Sequence, residues 1–404
     1  MKNLTYSILI IISFLFISCS QEIIRPVTVS ENKIQNINYD HPFIKEIQDL
    51  LEKYVKLGFP GVTVLVSTPE HGKWISSAGV SRIENQQPMV NTNVYHSASV
   101  AKTYHVVAAM TLVESGQLVL DKTIDHYLPT WVCQDLPNRN TATVRQLMNH
   151  TSGVPDFIGK IDHMLDYFQN LNRNFTTEKY LDYVCDTEAD FTAGKRVRYS
   201  NTNTVLLALI MDEIAGNHAD LISEKIIKKL ELKNTFYKNE KGYPAPIGAV
   251  NTYLDIKGNG KMINSTEVER NFAQMSIGHD GMLASANDYF LFLEALFNEK
   301  LVSRQSLNEM LEIQKIPAAI IYGQSLGLEI VKTPMLGLTR VGHNGGSLGA
   351  ANNVFHYPEK DAYIITCSNF GDFIDSPLTK HTWSGLIGHK NTLLGELEVL
   401  MFSE

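Results

Sequence analysis

The strongest constraint on the fold is the position of the β-rich segments, which lie near the two ends of the chain. Residues 61–67 are rich in β-branched side chains, and residues 73–81 follow them as a hairpin partner. Near the other end, the apolar runs 350–357 and 362–369 flank Pro-Glu-Lys-Asp, a strong hairpin signal. Strands at both ends, with helical segments between them, predict a sheet assembled from both ends around a helical insertion.

The length and composition are sufficient for one large folded domain or two modest ones. The chain has 404 residues, of which 44% are apolar and 19% are charged, as in ordinary globular proteins. We predict an α/β domain over 41–390, with an antiparallel sheet flanked by helices. The sheet is expected to come from about 41–115 and 290–390, and a mostly helical inserted subdomain from about 116–289. Residues 391–404 are expected to form a C-terminal tail.

The N-terminal segment has the layout of a bacterial export signal. Lys2 precedes an apolar run at 8–17, which is shorter than the roughly 20 residues of a membrane span. Residues 1–18 are therefore expected to be a signal peptide. Phe-Ile-Ser-Cys19 resembles a lipobox, so we expect a lipidated Cys19, although Phe in place of the commoner Leu leaves cleavage without lipidation open. With 19–40 as a polar tether, the protein would be a periplasmic or cell-surface lipoprotein of a bacterium, held at the membrane by its N-terminal lipid anchor.

Charge and cysteine usage limit the partners and the covalent links. The formal net charge is −8, and Lys and Arg are spread along the chain without a basic block, so nucleic acid is not expected as a partner. Beyond Cys19, the remaining cysteines are Cys133, Cys185 and Cys367. Their spacing fits neither a zinc site nor a disulfide framework, so one disulfide is permitted and none is required.

The segment Ser99-Val-Ala-Lys102 carries the first chemical signal. Residues three apart share one face of a helix, so the Lys102 amine can reach the Ser99 hydroxyl. The segment opens an apolar run over 100–113, where loss of water favours the neutral amine that a general base requires. The free N–H groups of the helix N-terminus would stabilise an oxyanion at Ser99. The spacing alone is weak, because Ser30-Glu-Asn-Lys33 shares it, and an N-cap serine beside a surface lysine is the alternative.

Two further segments supply groups of the kind that acyl transfer uses. In Tyr199-Ser-Asn201, a phenol can relay a proton and an amide can bind a substrate carbonyl. His343-Asn-Gly345 precedes the last hairpin, and its glycines would let a strand approach a ligand. Similar triplets begin at Tyr237 and at His279, and they are interpreted as a surface segment and a turn.

Six segments in a fixed order resemble the serine β-lactamase and penicillin-binding protein superfamily, above all its branch of class C β-lactamases, DD-peptidases and esterases. The resemblance covers about residues 42–390. It implies a β-lactamase/transpeptidase-like fold and a serine hydrolase that works through an acyl-enzyme. The segments are Tyr95-His-Ser-Ala-Ser-Val-Ala-Lys102, Gly116-Gln-Leu-Val-Leu-Asp121, Leu147-Met-Asn-His-Thr-Ser-Gly-Val-Pro-Asp156, Tyr199-Ser-Asn201, Gly281-Met-Leu-Ala-Ser285 and Gly342-His-Asn-Gly-Gly346.

The resemblance also implies roles for individual residues. Ser99 would be the nucleophile, Lys102 and Tyr199 would share the general-base role, and Asn201 would position the substrate. The backbone N–H groups of Ser99 and Gly346 would form the oxyanion hole. No cofactor or metal is implied.

The segment at His343 departs from the class C β-lactamases. His343 stands where those enzymes carry the Lys of Lys-Thr-Gly, and Asn344 replaces the hydroxyl residue that holds the substrate carboxylate. A neutral imidazole attracts a carboxylate less than a fixed ammonium does, so turnover of β-lactams is not favoured. Together with Gly345, these residues would still contact the substrate. His150 is expected to order a loop.

Two other functions compete with this one. Gly345-Gly-Ser347-Leu-Gly349 has the form of an α/β-hydrolase nucleophile elbow, but the following residues continue as a strand and not as a helix. A non-catalytic ligand-binding or sensor lipoprotein of the same fold is the second alternative. Within the enzyme interpretation, the substrate is a small molecule or a peptide. Esters, D-amino-acid peptides and β-lactams are expected in that order.

Overall fold

The structure is a computed structural model, and it describes residues 34–169, 175–238, 248–315, 322–333, 335–371, 376–382 and 391–403. The expected signal peptide, Cys19 and most of the tether lie outside the described residues. Among the helices that the structure describes, none has both the length and the apolar composition needed to cross a membrane.

The helices of the described residues are distributed along the whole chain. They are α1 (Ile44–Leu57), α2 (Ala101–Glu114), α3 (Val144–Met148), α4 (Ile161–Gln169), α5 (Thr177–Asp182), α6 (Asn201–Ala215), α7 (His218–Ile222), α8 (Thr266–Met275), α9 (Ala286–Phe297), α10 (Arg304–Leu311), α11 (Thr379–Thr382) and α12 (Leu393–Phe402).

Most of the described strands lie in the two end parts that the sequence predicts, whereas four short strands between 235 and 285 lie in the predicted helical insertion. The strands are β1 (Gly61–Thr68), β2 (Gly72–Arg82), β3 (Gln87–Pro88), β4 (Val94–His96), β5 (Thr235–Tyr237), β6 (Tyr253–Leu254), β7 (Ile263–Asn264), β8 (Met282–Ser285), β9 (Gln314–Lys315), β10 (Tyr322–Gln324), β11 (Glu329–Lys332), β12 (Thr339–Gly346), β13 (Ala351–Tyr357) and β14 (Ala362–Ser368).

One antiparallel sheet joins the two ends of the chain. Its strand order is β3-β2-β1-β14-β13-β12-β11-β10-β9, so β1 from the N-terminal part pairs with β14 from the C-terminal part. Both hairpins expected from the sequence are present, β1 with β2 and β13 with β14. A smaller sheet of β4, β8 and β5 lies between these parts in sequence. The α/β fold with an antiparallel sheet and a helical insertion is confirmed.

The main sheet is covered by helices on both faces. In β1, Val62, Val64 and Val66 pack in the apolar cluster that contains residues of α1 and α12, whereas Leu65 packs in the cluster that contains residues of α2, α6 and α9. This alternation follows from the two-residue period of a strand. The cluster that contains Leu65 also contains apolar residues of the insertion, and its side chains surround α2 almost completely.

Local signals fix parts of the insertion. A capping box formed by Thr143 and Gln146 opens α3. The question of a disulfide, which the sequence leaves open, is answered by a bond between Cys133 and Cys185. Cys367 is a free, buried thiol in β14.

The structure corrects two boundaries of the predicted domain. The expected tether already docks at its end: Ile37 bridges to Lys73, and the Asn38 N–H donates to the Lys73 carbonyl at 2.8 Å. The expected C-terminal tail contains α12, which buries Leu394 and Leu397. Because both segments bury apolar or backbone groups against the sheet, the folded domain extends beyond 41–390 on both sides.

Candidate active site

The Ser99 hydroxyl lies where a strand of the main sheet meets the start of α2. Ser99 belongs to a 3₁₀ turn, Ala98–Val100, that leads directly into α2. Ala98 has a φ of 47°, a left-handed conformation that costs energy for a residue with a side chain. β12 passes so close that a Cβ on Gly345 would lie 2.2 Å from the Ser97 carbonyl oxygen. The absence of a side chain at Gly345 therefore allows the strand to reach the Ser99 turn.

Lys102 is the second residue of α2 and is only 1% exposed. Its Nζ donates hydrogen bonds to Ser99 Oγ and to the His279 carbonyl oxygen, each at 2.9 Å. Loss of water lowers its pKa to about 7, against the opposing effect of nearby carboxyls, of which Asp280 is the strongest. A pKa lowered this far corresponds to about 5 kcal/mol against the ammonium. Near pH 7, much of Lys102 is therefore a neutral amine that can accept a proton.

Tyr199 lies two residues before α6, and its side chain also contacts Ser99. Its hydroxyl donates a hydrogen bond to Ser99 Oγ at 2.7 Å, and Lys102 Nζ lies 5.1 Å from the centre of its ring. Burial of the hydroxyl raises the pKa of Tyr199 well above the usual value. The phenol therefore keeps its proton near neutral pH and can act as a donor.

His150 fixes the segment that carries Tyr199. Its Nδ1 accepts hydrogen bonds from the Ser200 N–H at 3.2 Å and from Asn203 Nδ2 at 3.1 Å, and its ring centre lies 4.4 Å from that of Tyr199. Burial lowers the pKa of His150 well below the usual value, so the imidazole stays neutral and can accept these bonds. The contacts agree with the loop-ordering role expected from the sequence.

A cavity of about 360 Å³ opens beside Ser99. Its wall is largely apolar and aromatic, with carboxyl groups interspersed. The lining residues are Ala98, Ser99, Asp156, Ile158, His163, Met164, Tyr167, Tyr199, Asn201, Glu269, Phe272, His279, Asp280, Gly346, Ser347 and Leu348. Within the described residues, no group of three or more His, Cys, Asp or Glu side chains is arranged to hold a metal ion.

Of the residues expected to bind substrate, Asn201 lines this cavity. Its Nδ2 donates a hydrogen bond to Asp156 Oδ2 at 3.0 Å, which fixes the orientation of the amide. Gly346, at the end of β12, lies in the same wall as Ser99. The two backbone N–H groups expected to form an oxyanion hole therefore belong to residues that border one cavity.

His343, Asn344 and Gly345, which the sequence predicts to contact the substrate, are not among the described residues that line the cavity; His343 and Gly345 are buried, and Asn344 is half-buried. His343 is 2% exposed, and its ring centre lies 6.3 Å from that of Tyr199. Its Nδ1 donates to the Asn344 carbonyl at 2.5 Å, and the Asn344 N–H donates to Glu329 Oε2 at 3.3 Å. Burial lowers the pKa of His343, so the imidazole is neutral near pH 7 and this position provides no fixed positive charge.

The sequence interpretation missed His279 and Asp280, which it assigned to a turn. The His279 carbonyl is a hydrogen-bond acceptor for Lys102, and both residues line the cavity. Burial raises the pKa of Asp280 to about 6. The available signal was their position: they immediately precede Gly281-Met-Leu-Ala-Ser285, one of the segments that carry the family resemblance.

The two remaining sequence patterns have structural explanations. Tyr237 is not a surface residue: it is 7% exposed, and its hydroxyl lies 3.0 Å from a ring nitrogen of His105 and of His218. Ser347 lies in the turn between β12 and β13, which are antiparallel. Since a nucleophile elbow must turn from a strand into a helix, Ser347 does not form one.

These observations define a class of protein. A Ser-x-x-Lys pair with a buried lysine, hydrogen-bonded to a tyrosine and next to a strand of a mixed α/β fold, is the arrangement of a serine hydrolase with the fold of serine β-lactamases and penicillin-binding proteins.

The chain belongs to the Beta-lactamase family, whose model matches residues 47–382. It is 25% identical over 337 residues to penicillin-binding protein 4* of Bacillus subtilis (strain 168), covering 80% of this chain and 71% of that protein. A D-stereospecific amidohydrolase from Streptomyces sp. superposes with a TM-score of 0.70 at 24% identity, covering 83% and 96% of the two chains. A D-amino acid amidase from Ochrobactrum anthropi SV3, complexed with D-phenylalanine, superposes with a TM-score of 0.73 at 22% identity. The superposition covers 89% of this chain and 98% of that chain. The chain is therefore a serine hydrolase that cleaves an ester or amide through an acyl-enzyme.

Proposed function

We propose that Ser99 is the nucleophile and that Lys102 is its general base. Neutral Lys102 accepts the Ser99 proton as the oxygen attacks the substrate carbonyl carbon, and the backbone N–H groups of Ser99 and Gly346 stabilise the resulting oxyanion. Tyr199 donates its proton to the leaving amine or alcohol and recovers one from the Lys102 ammonium. Water then attacks the acyl-enzyme, and the same groups return the proton to Ser99. The 2.9 Å and 2.7 Å hydrogen bonds at Ser99 Oγ support these roles.

The charge of the cavity wall supports a particular substrate class. The wall contains the carboxyl side chains of Asp156, Glu269 and Asp280, and none of its described lining residues is a Lys or Arg. A substrate carboxylate would therefore meet no fixed positive charge, whereas an ammonium would be attracted. Apolar neighbours such as Phe272 and Met164 suit a hydrophobic side chain. We infer amides or esters of amino acids that retain a free ammonium, with D configuration because the two structural neighbours are named as D-selective.

Two experiments test this function. A fluorophosphonate should label the protein, and labelling should be lost in Ser99→Ala but kept in the matched control Ser347→Ala. In a hydrolysis panel, D-phenylalanine amide should exceed its N-acetyl derivative by about tenfold or more in kcat/KM, because acetylation removes the charge. It should also exceed L-phenylalanine amide, an N-acylated D-Ala-D-Ala peptide and nitrocefin. Preferred hydrolysis of nitrocefin or of the D-Ala-D-Ala peptide would refute the substrate class.

We further propose that the protein is exported and anchored through a lipid on Cys19. The signal-like segment 1–18 supports export, and so does the Cys133–Cys185 disulfide, because disulfides persist in oxidising compartments. Expressed in a bacterium with labelled palmitate, the protein should incorporate label and sediment with membranes. Cys19→Ala should lose both properties, and an unlabelled wild-type protein would exclude the anchor.

A further inference from the structure

A buried chain of hydrogen bonds runs behind the nucleophile helix. His105 Nδ1 lies 2.8 Å from the Ala101 carbonyl oxygen, and its Nε2 lies 3.0 Å from the Tyr237 hydroxyl. On the other side of that hydroxyl, His218 Nε2 lies at 3.0 Å and His218 Nδ1 lies 2.8 Å from Asp212 Oδ1. His105 and Tyr237 are buried, and neither belongs to the proposed reaction. Any role of these hydrogen-bonded groups must therefore be indirect, through the residues that do react.

The hydrogen count assigns a direction to each bond. A carbonyl can only accept, so His105 carries its hydrogen on Nδ1, and its Nε2 must accept from the Tyr237 hydroxyl. The Tyr237 oxygen then accepts from His218 Nε2, and the Gly278 N–H interacts with the same oxygen. His218 Nδ1 lies 2.8 Å from Asp212 Oδ1, which anchors the outer end of the network.

The network ends at the two backbone segments that hold Lys102. Ala101 is the residue before Lys102 in α2, and Gly278 is the residue before His279, whose carbonyl accepts a hydrogen bond from Lys102 Nζ. The loop at Gly278 has no room to shift towards α6, because a Cβ on Gly278 would lie 2.0 Å from the Thr204 carbonyl oxygen. The Tyr237 hydroxyl thus connects the helix turn that carries the amine to the loop that supplies its acceptor.

We propose that Tyr237 is a positioning residue for Lys102, whose hydroxyl fixes the distance between the start of α2 and the His279 carbonyl. The proposal rests on the function proposed for Lys102. Without the hydroxyl, the loop is released from the helix and water can reach the amine. Proton transfer from Ser99 then becomes slower, because a misplacement near 1 Å can cost about a hundredfold in rate.

The test compares Tyr237→Phe with Tyr180→Phe. Tyr180 is equally buried, and its hydroxyl has no hydrogen-bond partner among the described residues, so its removal deletes the same atom without breaking a bond. We would measure kcat, KM and the pH profile with p-nitrophenyl acetate, a neutral ester that does not depend on recognition of an ammonium. Asp212→Asn, at the outer end of the network, and Lys102→Ala are measured alongside.

For Tyr237→Phe, we expect kcat to fall about tenfold with KM within about twofold, because positioning and not binding is lost. The acid limb of kcat should move up by about half a pH unit, since water around Lys102 restores part of its affinity for a proton. The groups that face Lys102 all remain in this variant: the carboxyls of Asp156, Asp280 and Glu329, the phenol of Tyr199, and the imidazoles of His105, His150, His279 and His343.

The outcomes separate the two proposals. If Lys102→Ala retains full activity, the proposed function fails. If Lys102→Ala is inactive while Tyr237→Phe matches Tyr180→Phe in kcat and in pH profile, the positioning role alone is wrong. If Tyr237→Phe fails to fold, the pH profile of Asp212→Asn tests the positioning role instead. An upward shift of its acid limb supports the network, and an unchanged profile overturns it.

Discussion

At the scale of single residues, opposing electrostatic effects meet at the Lys102 amine. Burial removes the water that would stabilise an ammonium, whereas the Asp280, Asp156 and Glu329 carboxyls stabilise it. Burial is the larger effect, because the resulting pKa is about 7 and not near the ordinary value of 10.5. The carboxyls therefore restore part of the proton affinity that burial removes from Lys102.

Removing one of these carboxyls should extend activity to lower pH. In Asp280→Asn, the anion that raises the pKa of Lys102 most is gone, so that pKa falls below 7 and the neutral amine persists in more acidic solution. The acid limb of kcat/KM should move down by about half a pH unit or more when measured with p-nitrophenyl acetate. This direction is opposite to the one expected for Tyr237→Phe.

The control for Asp280→Asn is Asp220→Asn, which removes an exposed carboxylate at the start of α7. Because salt and water screen an exposed charge, the acid limb of Asp220→Asn should coincide with that of the wild type. An acid limb of Asp280→Asn that stays in place, or moves up, would contradict the assignment of Asp280 as the main carboxyl acting on Lys102.

A second residue prediction concerns the contact between β12 and the Ser99 turn. Gly345→Ala places a Cβ 2.2 Å from the backbone oxygen of Ser97, so the strand or the turn must shift. Overpacking of this kind costs about 1–3 kcal/mol, and it moves Gly346 away from Ser99. We expect kcat/KM to fall about a hundredfold. Gly159→Ala is the matched control, because its Cβ would meet open space. Equal activities of the two variants would refute the close approach.

At the scale of secondary structure, α12 belongs to the fold because it neutralises a buried charge. Glu398 Oε1 accepts hydrogen bonds from Arg340 Nη1 at 2.9 Å and from the Tyr357 hydroxyl at 2.7 Å. The Arg340 and Glu398 side chains are only 3% and 7% exposed. Removing one partner of such a buried ion pair is costly, so α12 and the sheet depend on each other.

Glu398→Ala should therefore destabilise the protein by about 3–5 kcal/mol, because it removes one partner of a buried ion pair. Urea unfolding followed by circular dichroism measures this change. The matched control is Lys53→Ala, which breaks the ion pair between Lys53 in α1 and Glu396 in α12. The side chains of Lys53 and Glu396 are 51% and 25% exposed. The cost of Lys53→Ala should stay within about 1 kcal/mol. Similar losses in both variants would mean that burial of the Arg340 pair is unimportant.

The elements differ in how much the sequence reveals about them. The hairpins follow from local patterns, and the family resemblance names Ser99, Lys102 and Tyr199, which the structure joins by hydrogen bonds. The docking of α12 depends on Arg340, 58 residues away from Glu398, and no local pattern encodes that pair. His279 acts through its carbonyl, which every residue has, so side-chain patterns cannot identify it.

At the scale of the whole molecule, the Cys133–Cys185 bond ties together distant parts of the helical insertion. The two residues are 52 positions apart, and Cys185 follows α5, which carries Tyr180. The ring of Tyr180 lies 5.7 Å from that of His279 in the cavity wall. The disulfide therefore restrains the layer of residues that supports the cavity from outside. Lys102 lies elsewhere, in α2, and Ser99 lies in the turn that leads into α2.

Closing a loop of this length restricts the unfolded chain by about 4 kcal/mol in the chain-entropy description. Cys133→Ala/Cys185→Ala should lose stability by up to about that amount in urea unfolding, and dithiothreitol should lower the stability of the wild type to the same level. Dithiothreitol should leave the stability of the double variant unchanged, since Cys367 is a free thiol.

At temperatures where the double variant is fully folded, its kcat should stay close to that of the wild type, because the hydrogen bonds at Ser99 do not involve the linked segments. A loss of stability below about 1 kcal/mol would show that packing of the insertion, and not the covalent bond, holds these segments together.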